Sequence, residues 1–488
     1  MGDPSPLAPL PVEAPVTLGT AVILDPDATF HDRQYLAGGS PWRLLRLSDS
    51  SRQVAQRWRE GDVVAAGEER LARTFIQQGL LHPRYESALT FDDVDVVVPV
   101  RDDVALLRAL LEQLRGFRVT VVDDASLEPL AISECVRHFG ADLVRLELNQ
   151  GPGGARNAGA DATTRPFLWF IDVDVEIDNA PDVFERLARH FGDPLVSGVA
   201  PRVRGGVGTS LRSRFERHFG PLDMGPRSGL ALPGGPVGYV PSACLLVRRA
   251  AFGDGFDPSL RYGEDVDFVW GLHDRGWLVR YVADVIVAHP ARGTWRAWWR
   301  QRSAYGSSAS HLARHHGARL APLRSDAWTL VAWTSVVVGK PAIGSRIVAI
   351  ARRHLSNRLA ATSDDPGRVA RDVVHRGVIG SGGPLARSVV RTFGPVLLIA
   401  AVHPKLRWRA LALYVVGSAW RWRGNRVRPG DVPLALADDL AYGVGVWRGA
   451  WATKSLRALT PSVTKSSIGL RDVLGLSSAV PGSGALDG

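Results

Sequence analysis

Phe170-Ile171-Asp172-Val173-Asp174-Val175-Glu176 is an apolar run that ends abruptly in carboxylates. Extended back to Phe167, the run predicts a buried strand. Two acids one residue apart at its end offer oxygens to one hard cation, at a place the strand fixes. An isolated Asp-x-Asp is also what a solvated strand end looks like. The flanking segments therefore carry the decision.

From Asp93 onward, apolar strands alternate with amphipathic helices, the pattern of a parallel sheet with crossover helices. Strands are predicted over 94–100, 119–122, 143–147 and 167–171, and helices over 104–114, 127–139, 151–162 and 180–191. In open α/β sheets ligands sit beyond the carboxyl ends of the strands, and the polar residues here cluster at those ends. Pro99 and Arg101 follow the first strand, and Asp123-Asp124-Ala125-Ser126 the second. Asp124 suits either the imide N–H of a uracil or a cap on the next helix.

The segment Asn149-Gln150-Gly151-Pro152-Gly153-Gly154-Ala155-Arg156-Asn157 lets backbone pass close to a ligand while Arg156 projects from the first helical turn. It is neither a Walker A loop nor a dinucleotide fingerprint. Further on, Gly263-Glu264-Asp265-Val266-Asp267 opens a predicted helix, and Val285-Ile286-Val287-Ala288 ends at His289. Asp265 suits a general base or a helix cap; His289 suits a ligand or a strand-end histidine.

The order of these four segments resembles glycosyltransferase family 2, which has the GT-A fold. The resemblance implies nucleotide contacts at Pro99, Arg101, Asp124, Arg156 and Asp172, with Asp174 and His289 on a divalent metal, Mg²⁺ or Mn²⁺. It implies Asp265 as the base that deprotonates an acceptor hydroxyl, with Glu264 and Arg302 as possible substrate or diphosphate contacts. Displacement with a single base inverts the anomeric configuration. Gly238 to Arg249 is expected to run as a strand on the acceptor side.

Residues 1–30 are rich in Pro and Ala and are expected to be a flexible lead-in, with structure from His31. Residues 31–88 predict strand, helix, helix, strand. Ser48 caps the first helix, and the second stops before Gly79. That unit resembles the PqqD-like winged helices, which implies peptide recognition; bracing of the next domain is the alternative. Its helices carry no clustered basic face, so nucleic acid is not an expected partner.

The catalytic domain is placed at 92–292, a helical part at 293–460 and a flexible tail at 461–488. The net charge of +10 favours an anionic partner, and residues 291–325 hold seven arginines and no acid. Ten of the fifteen tryptophans follow residue 290. The apolar bursts there are shorter than the roughly 18–20 residues of a spanning helix, so interfacial contact or a few imperfect spans are expected, with a plain helical bundle as the alternative. A Trp/Arg-rich stretch, 292–306, lies where processive relatives carry Gln-x-x-Arg-Trp, but lacks that spacing. Two cysteines exclude a disulfide framework, and no export signal is read at the N-terminus. The expected location is the cytoplasmic side of the cell membrane, or the cytoplasm.

Taken together, the PqqD-like unit, the family 2 domain and the basic, Trp-rich helical part resemble the mycofactocin-system glycosyltransferases. That resemblance implies a UDP-sugar donor, UDP-glucose, and a peptide-derived mycofactocin acceptor on which a β-1,4-glucan is built. The alternatives are a family 2 transferase acting on a lipid-carried envelope polysaccharide, and a non-catalytic peptide- or membrane-binding scaffold.

Overall fold

The computed structural model describes residues 14–464 except 87–88, 207, 291–292 and 423–427. The chain begins with β1 (Ala21–Leu24), β2 (Thr29–His31), β3 (Tyr35–Gly38) and β4 (Arg43–Arg46), followed by α1 (Asp49–Glu60), β5 (Asp62–Val63), α2 (Glu69–Gln77) and β6 (Leu81–Arg84). These strands form two antiparallel sheets, ordered β5-β1-β6 and β2-β3-β4. Ser48 caps α1 by accepting from the Ser51 amide at 3.1 Å, and Trp58 of α1 packs edge-on against Phe75 of α2.

The flexible lead-in is overturned from residue 14 on, because Val22 and Leu24 are buried in β1 at the centre of its sheet. The rest of that lead-in, and the tail beyond 464, lie outside the described residues. Arg73 of α2 forks onto Asp193 at 2.8 and 3.0 Å, both side chains buried, so the N-terminal unit is fastened to the domain that holds the central sheet.

The central sheet comprises β7 (Val94–Val100), β8 (Arg118–Asp124), β9 (Asp142–Leu146), β10 (Phe167–Ile171), β11 (Val196–Gly205), β12 (Gly229–Leu230), β13 (Cys244–Arg248) and β14 (Leu278–His289). Its order is β12-β14-β11-β13-β10-β7-β8-β9. β7 to β10 run parallel, and β13 is antiparallel to both β10 and β11. The strand order turns between β7 and its neighbours, where α/β sheets open a crevice at their carboxyl ends.

Side chains alternate across the sheet. Val96, Val98 and Trp169 enter one core, while Val97, Leu168 and Phe170 enter the other. The connecting helices are α3 (Val104–Gln113), α4 (Pro129–Phe139), α5 (Gly151–Asp161), α6 (Ala180–Ala188), α7 (Leu211–Phe219), α8 (Arg249–Phe252) and α9 (Glu264–Asp274). α5 lies directly on the sheet, since a Cβ on Gly159 would sit 2.3 Å from Val97 Cγ1. The strand expected over 238–249 forms only at Cys244–Arg248; Pro241 has no N–H for a ladder, and 238–243 run irregularly beside the cleft.

The C-terminal part holds α10 (Trp295–His316), β15 (Arg324–Asp326), α11 (Ala327–Val337), α12 (Pro341–Leu359), α13 (Pro366–Arg387), α14 (Gly394–Ala400), α15 (Arg407–Arg421), α16 (Val432–Thr453) and β16 (Ser462–Thr464), which pairs with β15. α13 passes into a π-turn at Ser388–Thr392 just beyond Pro384. α10 and α16 cross on glycines: Cβ atoms at Gly306 and Gly445 would lie 2.0 Å from the carbonyls of Tyr442 and Ser303. Among the described residues no helix is long and apolar enough to cross a membrane, so the imperfect spans have no counterpart here.

Candidate active site

At the carboxyl end of β10 a cleft of about 430 Å³ opens between the sheet, α9 and the C-terminal helices. Asp172, Asp174, Arg156, Glu264, Asp265 and His289 all line it. Six of the residues singled out in the sequence are thus brought to one place.

Arg156 organises the back of the cleft. It projects from the first turns of α5, is buried, and donates to Asp172 Oδ1 at 2.5 Å and Glu264 Oε1 at 3.1 Å. A guanidinium between two carboxylates holds both at fixed positions. Burial lifts the Glu264 carboxyl above its ordinary value, and Arg156 opposes the lift. Asp124 accepts from the amides of Gln150 at 2.6 Å and Gly151 at 2.9 Å, pinning the glycine turn at the start of α5, where Gly151 has φ 80°. It caps α5 rather than the helix that comes after its own strand.

Asp174 and His289 meet across the cleft, His289 Nε2 lying 3.3 Å from Asp174 Oδ2. A two-bond bridge between Glu176 and Ala288 brings them together, at 2.8 and 3.0 Å. His289 Nδ1 lies 3.1 Å from the Pro290 carbonyl, to which it donates, and this fixes the ring with Nε2 turned to Asp174. A carboxylate oxygen and an imidazole nitrogen held by its ring partner suit Mg²⁺ or Mn²⁺, with further oxygens from a ligand or water. A second donor group, Asp257, Asp267 and His315, lies outside the cleft lining. There Asp267 already faces His315 and His316 at 3.1 and 2.9 Å.

Asp265 occupies the second position of α9, behind Gly263 at φ 84°, which takes the cap position. Its Oδ1 accepts from the Val266 amide at 2.8 Å. Burial first, and then the charge of Glu264, push its carboxyl up to about 7, where a general base is most effective.

Other expected residues lie elsewhere. Pro99 pairs in β7, Arg101 reaches Asp102 at 3.5 Å beside it, and neither they nor Asp124 line the cleft. Arg302 is corrected as a diphosphate contact. Its side chain is 1% exposed, binds Asp438 at 2.6 Å together with Glu216, and stacks on Trp298, joining α10 to α7 and α16. Sequence reasoning missed Tyr239, Tyr305, Tyr442 and Arg391, which also line the cleft. The last three come from the C-terminal helical part, Tyr305 from α10, and no motif marks Tyr442 or Arg391.

Residues 95–256 match the family described as glycosyl transferase family 2. Over 451 residues, 88% of this chain and 95% of the relative, the sequence is 35% identical to a pre-mycofactocin glycosyltransferase of Mycobacterium tuberculosis. A shorter match, 44% over 85 residues, covers 17% of this chain and 24% of an N-acetylglucosaminyl-diphospho-decaprenol L-rhamnosyltransferase from the same organism. Among solved structures, a mannosyltransferase of Pyrobaculum calidifontis in complex with GDP-Man and Mn²⁺ aligns at TM-score 0.40 and 16% identity, over 74% of this chain and 90% of the other. With near-full-length likeness to one relative, and with Arg156, Asp172 and Asp174 of the cleft inside the family's segment, the chain is a GT-A glycosyltransferase that belongs to family 2 and, within it, with the pre-mycofactocin glycosyltransferases.

Proposed function

We propose that this chain transfers glucose from UDP-glucose to a peptide-derived acceptor of the mycofactocin type, with inversion, and repeats the transfer to build a β-1,4-glucan. The observation that carries the reading is one cleft lined both by Asp265, its carboxyl raised to about 7, and by the Asp174–His289 pair. Asp265 takes the proton of the acceptor hydroxyl as its oxygen attacks the anomeric carbon. The bond from that carbon to the diphosphate oxygen breaks, and UDP leaves. Asp174 and His289 would hold a divalent cation, Mg²⁺ or Mn²⁺, whose charge stabilises the departing diphosphate. Arg156 holds Asp172 and Glu264 in place, and its charge opposes the lift that burial gives the Glu264 carboxyl. Asp124 takes the uracil through lone pairs its two backbone bonds leave free, with Pro99 and Arg101 beside it at the ends of β7 and β8.

The acceptor assignment draws on the relative's name and the N-terminal unit. β4 is an edge strand, and an extended peptide could add to such an edge. The buried Arg73–Asp193 pair supports bracing as a second role.

The end of α14, the turn after it and the start of α15 expose Ile399, Val402 and Trp408 among Lys405, Arg407 and Arg409, which supports peripheral contact with the anionic inner face of the cell membrane. The same surface favours, as a second reading, a lipid-carried acceptor.

The test is a mass-spectrometric transfer assay with UDP-glucose and a divalent cation, comparing the mycofactocin precursor peptide with a polyprenyl phosphate. Hexose ladders on the peptide product support the proposal. Ladders confined to the lipid overturn the acceptor and keep the catalytic residues.

A further inference from the structure

Three arginines line the cleft, and they are held differently. Arg156 is bound to two carboxylates at 2.5 and 3.1 Å. Arg261 is bound to Asn149, through its side chain and, at 3.0 Å, its carbonyl. Arg391 stands apart from both. Its nearest carboxylates, Asp438 and Asp439, lie 3.5 and 3.4 Å away, the spacing of an ion pair rather than a directed hydrogen bond. Its Nε makes no hydrogen bond among the described residues.

The fold nonetheless fixes where this guanidinium lies. It sits 4.0 Å over the ring of Tyr442, itself a residue of the cleft. The π-turn that carries it is held by Trp447, which donates to the Thr392 carbonyl at 2.8 Å. α16 approaches so closely that a Cβ on Gly443 would lie 2.4 Å from the Arg391 carbonyl. π-turns inside helices recur at functional sites, and this one carries Arg391 into the lining of the cleft.

From these contacts we infer that Arg391 is an oxyanion-binding residue of the cleft, supplied by the C-terminal helices and not by the catalytic sheet. Its planar fork suits a phosphate or a carboxylate. The oxygens come either from the donor's diphosphate or from a carboxylate on the acceptor. The inference rests on the glycosyltransferase reading and adds to it a residue outside the family's segment.

The test uses the full chain with Mn²⁺ and compares wild type with R391K and R391Q. UDP and uridine affinities are measured by calorimetry, and the acceptor KM by transfer from UDP-glucose. If the diphosphate is the source, R391Q weakens UDP about tenfold or more and leaves uridine unchanged. If the acceptor is the source, UDP affinity stays and the acceptor KM rises by about the same factor. R391K, which keeps the charge beside Asp438 and Asp439, recovers part of either loss. Both quantities staying within about twofold of wild type in R391Q would overturn the inference. So would joint loss of UDP and uridine with a lower Tm in both variants, since Arg391 would then serve the fold alone. A wild-type chain that neither bound UDP nor moved sugar would instead overturn the donor reading beneath it.

Discussion

The Asp174 carboxylate and the His289 imidazole lie 3.3 Å apart because the chain after β10 and the end of β14 are stitched by the Glu176–Ala288 bridge. Two segments distant in sequence thus present one oxygen and one nitrogen to the same point.

Removal of divalent cations is expected to abolish transfer, and Mn²⁺ or Mg²⁺ to restore it. Asp174→Asn and His289→Ala should each raise the metal concentration needed for half-maximal rate by at least about 10–100-fold. Metal titration of initial rates checks this. Unchanged metal dependence in both variants would remove the pair from the metal site.

Asp265 must be ionised to act, and its carboxyl sits near 7. The pH profile of kcat/KM should therefore climb about tenfold per unit below that value and flatten above it. Asp265→Asn should lose on the order of 10²–10⁴ in kcat while UDP still binds. A raised carboxyl also works against the fold. Stability is lost as pH rises from the ordinary carboxylate range towards 7, so Asp265→Asn should melt higher than wild type at pH 8, the gap closing towards pH 4.

Arg156 balances two carboxylates in a buried place. Arg156→Met leaves both without their cation and should cost about 3–5 kcal/mol by urea denaturation, in addition to activity. A loss below about 1 kcal/mol would mean that water reaches the acids.

Gly306 and Gly377 are both helical, in different surroundings. A Cβ at Gly306 would strike the Tyr442 carbonyl at 2.0 Å, whereas Gly377 in α13 has nothing within 4 Å. Gly306→Ala should cost about 1–3 kcal/mol and disturb the cleft wall, while Gly377→Ala should gain about 0.5–1 kcal/mol. Thermal melts of the two variants decide.

The bounds of β7 and β10 are as the sequence predicts, because Val94 to Val100, apolar but for the buried Asp95, and Phe167 to Ile171, apolar throughout, stop at turn residues. Asp174, Asp265 and His289 were legible for a related reason. A strand or helix end announces itself locally, and so does the polar residue placed there. β11 escaped notice because Gly198 and Pro201 interrupt its run. β1 was hidden by the Pro- and Ala-rich chain around four apolar residues.

Contacts between distant segments left no such trace. Arg302 and Arg391 look alike in an arginine-rich sequence, and only packing shows one buried between Glu216 and Asp438 and the other facing the cleft. Asp124 likewise had two readings, and its actual partners, the amides of Gln150 and Gly151, belong to a turn that neither reading invoked.

The crossing of α10 and α16 also bears on how the enzyme is made. A ribosome releases the sheet, Asp265 and the Asp174–His289 pair well before Val432 to Thr453 emerge. Until then the nascent chain has a base and a donor-side pair, but no Tyr442 beneath Arg391 and no α16 against α10. Completion of the cleft is thus among the last events of synthesis, and a prematurely terminated chain leaves that side open.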